Sequence, residues 1–272
     1  MHSTCTRSSG HHGSTVMYDA LARHKAIESI VTSESEQGQL RKYYRFRADR
    51  WYGGIATADV VGCGLLCRFC WVSDKILERP DTCADLLAPQ EAVQKLLRVA
   101  EDRGLAQVRM SGGEPTLGRP HLIDVLSEIE KTGGFRFILE TNGVLLGADP
   151  SYCRDLASFR SLHVRVSLKG SCEEEFARLT GARSDDFTLQ LDALRNMVEA
   201  GVSCHPAVMS SFSTRATLCE LRDRISSIDR KLTADLELEE LIRYPRVERR
   251  LQKFGITFHV SHDPRGVPEH LI

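Results

Sequence analysis

Short apolar, strand-like runs and amphipathic, helix-like runs alternate about six times between residues 55 and 254. That alternation restricts the possible architectures more than any other feature. The strand-like runs are 55–61, 105–110, 135–140, 162–168, 202–209 and 236–242. Between and after them lie helix-like runs at 89–103, 121–131, 151–158, 187–200, 215–226 and 247–254. The periods are clear. Leu162, Val164, Val166 and Leu168 alternate with His163, Arg165 and Ser167, the period of two of a strand. Ala92, Val93, Leu96, Leu97 and Ala100 fall on one helical stripe, with Pro89 near its start and Gly104 just past its end, as helix termini favour.

Strand–helix alternation implies parallel strands joined by crossover helices. A doubly wound sheet and a barrel both satisfy it, and the strand ends choose between them. Cys63, Ser111-Gly112-Gly113-Glu114, Glu140-Thr141-Asn142, Ser167 with Lys169, and Ser210-Ser211 sit at the C-terminal ends of the strand-like runs. In α/β barrels the active site is assembled at that rim. Six units are too few for a closed eight-fold barrel, so the expectation is an α/β fold, a partial (βα)6 barrel over 51–256. Residues 1–50 then form a tail, a helix near 17–31, a polar linker at 33–39 and a basic, aromatic extension, and 257–272 a second tail.

The sequence holds nine cysteines, an odd number that does not fit a fully paired disulfide framework. Three of them, Cys63, Cys67 and Cys70, fall within eight residues, whereas Cys5, Cys83, Cys153, Cys172, Cys204 and Cys219 are scattered. A compact loop aims three thiolates at one metal centre. A structural zinc site normally takes four protein ligands and would need Cys83 or a distant histidine. Three thiolates on a 4Fe–4S cluster leave one iron open to another ligand.

The segment Cys63-Gly64-Leu65-Leu66-Cys67-Arg68-Phe69-Cys70-Trp71 resembles the signature loop of the radical S-adenosylmethionine (radical SAM) enzymes, including the aromatic before the third cysteine. Ser111-Gly112-Gly113-Glu114-Pro115 is similar to the family's Gly-Gly-Glu motif, and Glu140-Thr141-Asn142-Gly143 to the motif after the next strand. Ser167-Leu168-Lys169-Gly170, followed by Phe176, Arg178, Thr180 and Gly181, resembles a stretch of the glycyl-radical-enzyme activases. The resemblance spans about residues 51–254.

It implies a barrel of the radical SAM type with two cofactors, a 4Fe–4S cluster on Cys63, Cys67 and Cys70, and S-adenosylmethionine on the open iron. Reductive cleavage then gives methionine and a 5′-deoxyadenosyl radical that abstracts hydrogen from a substrate. Gly112 and Gly113 would let the backbone approach the methionine moiety, and Glu114 would hold its ammonium through backbone or carboxylate. Phe69 would flank the adenine. Glu140 and Asn142 are candidates for the ribose, Ser167 for the ribose or the carboxylate, and Lys169 shares a strand face with Ser167. His205 is a candidate for the carboxylate or adenine, and Trp71 is expected to be a packing residue.

The expected electron donor is a low-potential protein of the flavodoxin or ferredoxin type. The activase-like stretch favours a protein partner as substrate. RNA and small molecules are the alternatives, and the basic run 41–50 reads either as a phosphate or RNA contact or as a strand with solvated charges. Thirty-six basic against 37 acidic residues give a net charge of −1, so nothing global demands a nucleic acid or a membrane surface. No apolar run nears the roughly 20 residues of a membrane span, and residues 1–15 lack the apolar stretch of a secretory signal; the expected location is the cytoplasm. No second close-spaced cysteine group exists, so no auxiliary cluster is expected. The reading from another class is a non-catalytic, metal-stabilised binding protein.

Overall fold

The computed structural model describes residues 17–269; the expected tail at 1–15 lies outside them. The chain runs α1 (Ala20–Val31), β1 (Thr32–Ser35), β2 (Gly38–Asp49), β3 (Ile55–Val60), α2 (Asp74–Glu78), β4 (Asp85–Leu87), α3 (Pro89–Arg103) and β5 (Gln107–Gly112). It continues α4 (Arg119–Thr132), β6 (Arg136–Thr141), α5 (Val144–Ala148), α6 (Pro150–Leu156), β7 (Leu162–Leu168), α7 (Glu173–Thr180), α8 (Phe187–Ala200) and β8 (Cys204–Met209). The last elements are α9 (Arg215–Ile228), α10 (Arg230–Ala234), β9 (Glu237–Glu239), β10 (Leu241–Ile242), α11 (Pro245–Lys253) and β11 (Ser261–His262).

Strands β3, β5, β6, β7, β8 and β9 pair side by side and all parallel, so the six expected strands form a partial α/β barrel. β2 adds an antiparallel strand outside β3, and β1 and β4 pair with β2. Among the described residues β1 and β9 do not pair with each other, so the barrel stays open on that side. The helices cover its outer face. Val164, Val166 and Leu168 of β7 are fully buried there, and α3 buries Ala92, Val93, Leu96, Leu97 and Ala100. Each fully buried leucine of this layer contributes about 2 kcal/mol. Gly104 ends α3 in the left-handed region at φ 63°, a conformation that costs glycine little.

Two expectations about the N-terminal part change. The polar linker at 33–39 is instead the hairpin of β1 and β2, with Glu34 paired to Gln39 and Ser35 to Gly38. Its polarity is that of an edge strand open to water, which composition alone does not separate from a loop. The basic run at 41–50 belongs mostly to β2, and its first arginine is not solvated. Arg41 is 1% exposed; its Nε donates to Leu117 O at 2.9 Å and its Nη2 to Glu114 O at 3.2 Å. Burial pulls its pKa down to about 10. A shift of register between Tyr43 and Arg45 puts both Tyr44 and Arg45 on the barrel interior, as a bulge does.

The interior face of the strands is charged, and the charges are paired. Asp59 Oδ2 accepts from Arg45 Nε at 2.7 Å and Arg47 Nε at 2.9 Å. Arg47 also pairs with Asp49, and Arg109 bridges Asp49 and Glu140 at 2.9 Å each. Arg165 binds Glu237 at 2.8 Å and Glu239 at 2.9 Å. A belt of ion pairs thus lines the barrel from β2 to β9, which is how charges persist where water is scarce.

Candidate active site at the barrel mouth

A cavity of about 1110 Å³ opens at the C-terminal ends of the strands. Cys63, Cys67 and Cys70 line it together with Phe69, Gly112, Gly113, Glu114, Glu140, Asn142, Ser167 and Lys169. Of the residues assigned to the cluster or to S-adenosylmethionine from the sequence, only His205 is not among the lining residues. It sits near the start of β8, stacked on His163 at 4.9 Å between ring centroids. Its Nδ1 lies 2.7 Å from His163 Nε2, and its Nε2 contacts Glu237 at 3.2 Å. The expected contact of His205 with the cofactor thus has no lining position behind it, although its partner Glu237 does line the cavity. Strand alternation points His205 inward, but four residues short of the strand's C-terminal end.

The cysteine loop leaves β3 through Gly62, at φ +83°. Cys70 N donates to Cys67 O at 3.0 Å, Leu65 N points at Cys63 Sγ at 3.4 Å, and Asn142 Nδ2 approaches the same sulfur at 3.6 Å. Burial pushes the Cys63 and Cys70 thiols up and the Cys67 thiol to about 12. Such thiols become thiolates when a metal supplies the compensating charge. The donor set fits an iron–sulfur cluster with three protein ligands. Among the described residues Cys83 does not complete a zinc site: it is turned to the carbonyls of Lys75 and Arg79 at 3.3 and 3.4 Å. His24 does lie beside Cys63 and Glu114, with ligand atoms within 4.8 Å of one another. Its Nδ1, however, bonds Ala20 O at 2.7 Å and its Nε2 bonds the Asn142 amide at 2.9 Å.

The Gly112-Gly113-Glu114 turn docks on this loop. Gly113 N donates to Val60 O at 2.8 Å and Glu114 N to Gly62 O at 2.7 Å. A Cβ on Gly113 would lie 2.2 Å from the Gly62 carbonyl oxygen. The glycine is thus needed first for the approach of protein to protein, and only its remaining surface faces the cavity. The Glu114 carboxylate is likewise engaged internally. It accepts from Thr116 N (3.0 Å), Thr116 Oγ1 (2.7 Å), Thr141 Oγ1 (2.7 Å) and Asn142 N (2.8 Å). Three of these donors meet Oε1 and one meets Oε2, so the carboxylate ties two strand-end turns together while Oε2 keeps an acceptor position.

The other lining residues are held by the belt. Glu140 accepts from Arg109, from Ser111 Oγ at 2.6 Å and from Tyr52 Oη at 3.2 Å. Burial works to raise its pKa, but Arg109 and Arg165 outweigh burial and hold it at about 2. Lys169 Nζ donates to Ser167 Oγ at 2.5 Å. Among the described residues neither Lys169 nor Arg246, both on the cavity wall, has a carboxylate partner. Phe69 is buried against Phe212, ring centroids 5.4 Å apart. Trp71, expected to be a packing residue, is 38% exposed on the cavity wall.

Sequence reading missed His24, Arg109 and Arg165 as parts of the site. His24 shares the buried face of α1 with Ala20, Ile27 and Val31, a spacing that marks it as inward-facing. Arg109 and Arg165 each lie two residues before a singled-out serine on the same strand, so alternation put them on the interior too.

Compared with known families, residues 59–225 match the model of the radical SAM superfamily. A probable GTP 3′,8-cyclase of Sulfurisphaera tokodaii is 27% identical over 66% of this chain and 53% of its own length. One from Thermoplasma volcanium is 29% identical over 52% of this chain and 40% of its own. The chain therefore spans about half or less of the length of these curated relatives. The fold is similar to that of Streptococcus suis SuiB bound to S-adenosylmethionine, with a TM-score of 0.51 and 20% identity over 71% of this chain and 45% of that one.

Proposed function

The chain belongs to the radical SAM superfamily and is an enzyme of it, and from that premise we propose that its substrate is a small anionic molecule, a purine nucleotide before a protein. The family's cofactors are a 4Fe–4S cluster and S-adenosylmethionine, which when bound supply the one-electron cleavage to methionine and a 5′-deoxyadenosyl radical. Cys63, Cys67 and Cys70 would hold the cluster. The turn at Gly112–Glu114 would present backbone to the cofactor, while the Glu114 carboxylate keeps that turn fastened to the end of β6.

The observation that carries the substrate reading is the wall of the cavity. The belt neutralises the arginines of the floor, whereas Lys169 and Arg246 line the cavity without a carboxylate partner among the described residues, and the exposed Trp71 and Tyr244 line it too. Unpaired cations and exposed aromatic rings on one wall suit phosphate and a planar base. The names of the relatives, GTP 3′,8-cyclases, support the same class. The activase-like stretch gives a protein substrate less support, because its residues brace the cysteine loop. Leu179 O accepts from Arg68 N at 2.8 Å, and Arg178 O accepts from Arg68 Nη1 at 2.7 Å. The proposed electron donor remains a flavodoxin- or ferredoxin-type protein.

The test is anaerobic reconstitution, with about four iron and four sulfide per chain expected. Reduced protein should release 5′-deoxyadenosine slowly alone and faster with GTP or ATP, with deuterium passing from a ribose-deuterated nucleotide into 5′-deoxyadenosine. Acceleration by neither nucleotide would remove this substrate class. Absence of 5′-deoxyadenosine from fully loaded protein would remove the activity itself.

A further inference from the structure

We propose that Arg23 and Arg250 hold the cysteine loop in its ligating shape and, through their charge, set the potential at which the bound cluster takes up an electron. Between them they reach the backbone carbonyl of every cysteine in the loop. Arg23 Nη1 donates to Cys63 O at 2.6 Å. Arg250 Nη1 donates to Cys70 O at 2.6 Å and to Cys67 O at 3.4 Å, and its Nη2 donates to Val72 O at 3.2 Å. The inference rests on the reading of these cysteines as the cluster ligands.

The loop has almost no regular structure between the end of β3 and the start of α2. Its carbonyls therefore need donors from elsewhere. A guanidinium presents several N–H groups in a rigid plane, so one side chain serves three carbonyls at once, and a lysine does not. Both arginines stand on helices that dock through a buried stripe. α1 buries Ala20, His24, Ile27 and Val31, and α11 buries Val247 and Leu251. The Arg250 side chain is itself only 12% exposed.

The charge has a second consequence. Reduction adds a negative charge to the cluster, and a neighbouring cation favours that state. Asp74, which pairs with Arg250, offsets part of its effect. Arg23 has no carboxylate partner among the described residues; its guanidinium lies 5.7 Å from the Tyr18 ring centroid.

The test compares wild type, Arg23→Gln, Arg250→Gln and Arg250→Lys, each reconstituted and checked for native secondary structure by circular dichroism. Two quantities are read: the rate at which iron is lost to a chelator, and the cluster midpoint potential from a titration followed by electron paramagnetic resonance. Both glutamine variants should lose iron at least about tenfold faster and have lower potentials than wild type. Arg250→Lys keeps the charge but not the fork, so its potential should stay near that of wild type while iron loss still quickens. Folded glutamine variants with the retention and potential of wild type would overturn the proposal and leave the ligand assignment standing. Should Arg250→Gln not fold, unchanged iron loss in Arg250→Lys and in Arg23→Gln would overturn it equally. A wild-type chain that takes up no cluster would overturn the ligand assignment, and this proposal with it.

Discussion

Gly113 shows how a single atom governs the site. Its missing Cβ leaves room for the Gly62 carbonyl, and the two backbone bonds from Gly113 N and Glu114 N lock the turn to the strand that feeds the cysteine loop. Gly113→Ala therefore forces the turn and the loop apart before any cofactor is present. The apo variant should melt at lower temperature than wild type and, after reconstitution, hold less iron. A variant with unchanged melting and iron content but weakened S-adenosylmethionine affinity would show instead that the glycine serves only the cofactor. Glu114 has the same character. Its conspicuous place in a Gly-Gly-Glu motif suggested a ligand, and its four internal donors make it a fastener.

At the scale of elements, the belt pairs charges on neighbouring strands and on strands one further apart. Arg109 on β5 ties Asp49 on β2 to Glu140 on β6 across four strands, and Arg165 on β7 reaches past β8 to Glu237 and Glu239 on β9. The belt makes a pH prediction through Glu140, whose folded pKa of about 2 lies below its ordinary 4.5. A depressed carboxyl adds stability that is fully present above the unfolded pKa and is lost as pH falls through the folded one. Denaturant unfolding of wild type and Glu140→Gln should accordingly differ most above pH 4.5, and the gap should close towards pH 2. A gap independent of pH across that window would mean that Glu140 is not ionised in the belt. The same elements explain why the basic run 41–50 does not form an open polycationic surface. Arg41 is buried, and Arg45 and Arg47 are both committed to Asp59.

At the scale of the whole molecule, the site depends on contacts between distant parts of the chain. The cysteine loop is held by α1 and the Tyr18 hydroxyl on one side, by the end of α7 on another, and by α11 on a third. Docking of α11 and the integrity of the loop should therefore be coupled. Leu251→Ala and Leu96→Ala each empty a buried leucine site and should each cost about 2–5 kcal/mol. Only Leu251→Ala, on α11, should also speed iron loss from the reconstituted protein, because Leu96 lies on α3 behind the sheet. Equal iron loss in the two would show that stability in general, not α11 in particular, protects the loop. No helix among the described residues is long and apolar enough to cross a membrane.

Local pattern alone determined the order of six parallel strands, the three-cysteine loop and the position of the Gly-Gly-Glu turn at a strand end. Period two and period 3.6 are properties of consecutive residues, and so are the spacings of ligands on one loop. The interior placement of Arg109, Arg165 and Glu140 was implicit in the same alternation. Tertiary structure decided the rest. That His205 sits between His163 and the cavity-lining Glu237 follows from the register of β8 on β7 and β9. That Asn142 binds His24 follows from α1 packing beside the turn. That Arg250 holds carbonyls 180 residues away follows from α11 closing on the loop. Such pairings depend on which surfaces meet after the chain has folded, and a linear sequence carries period and spacing but not the meeting of surfaces.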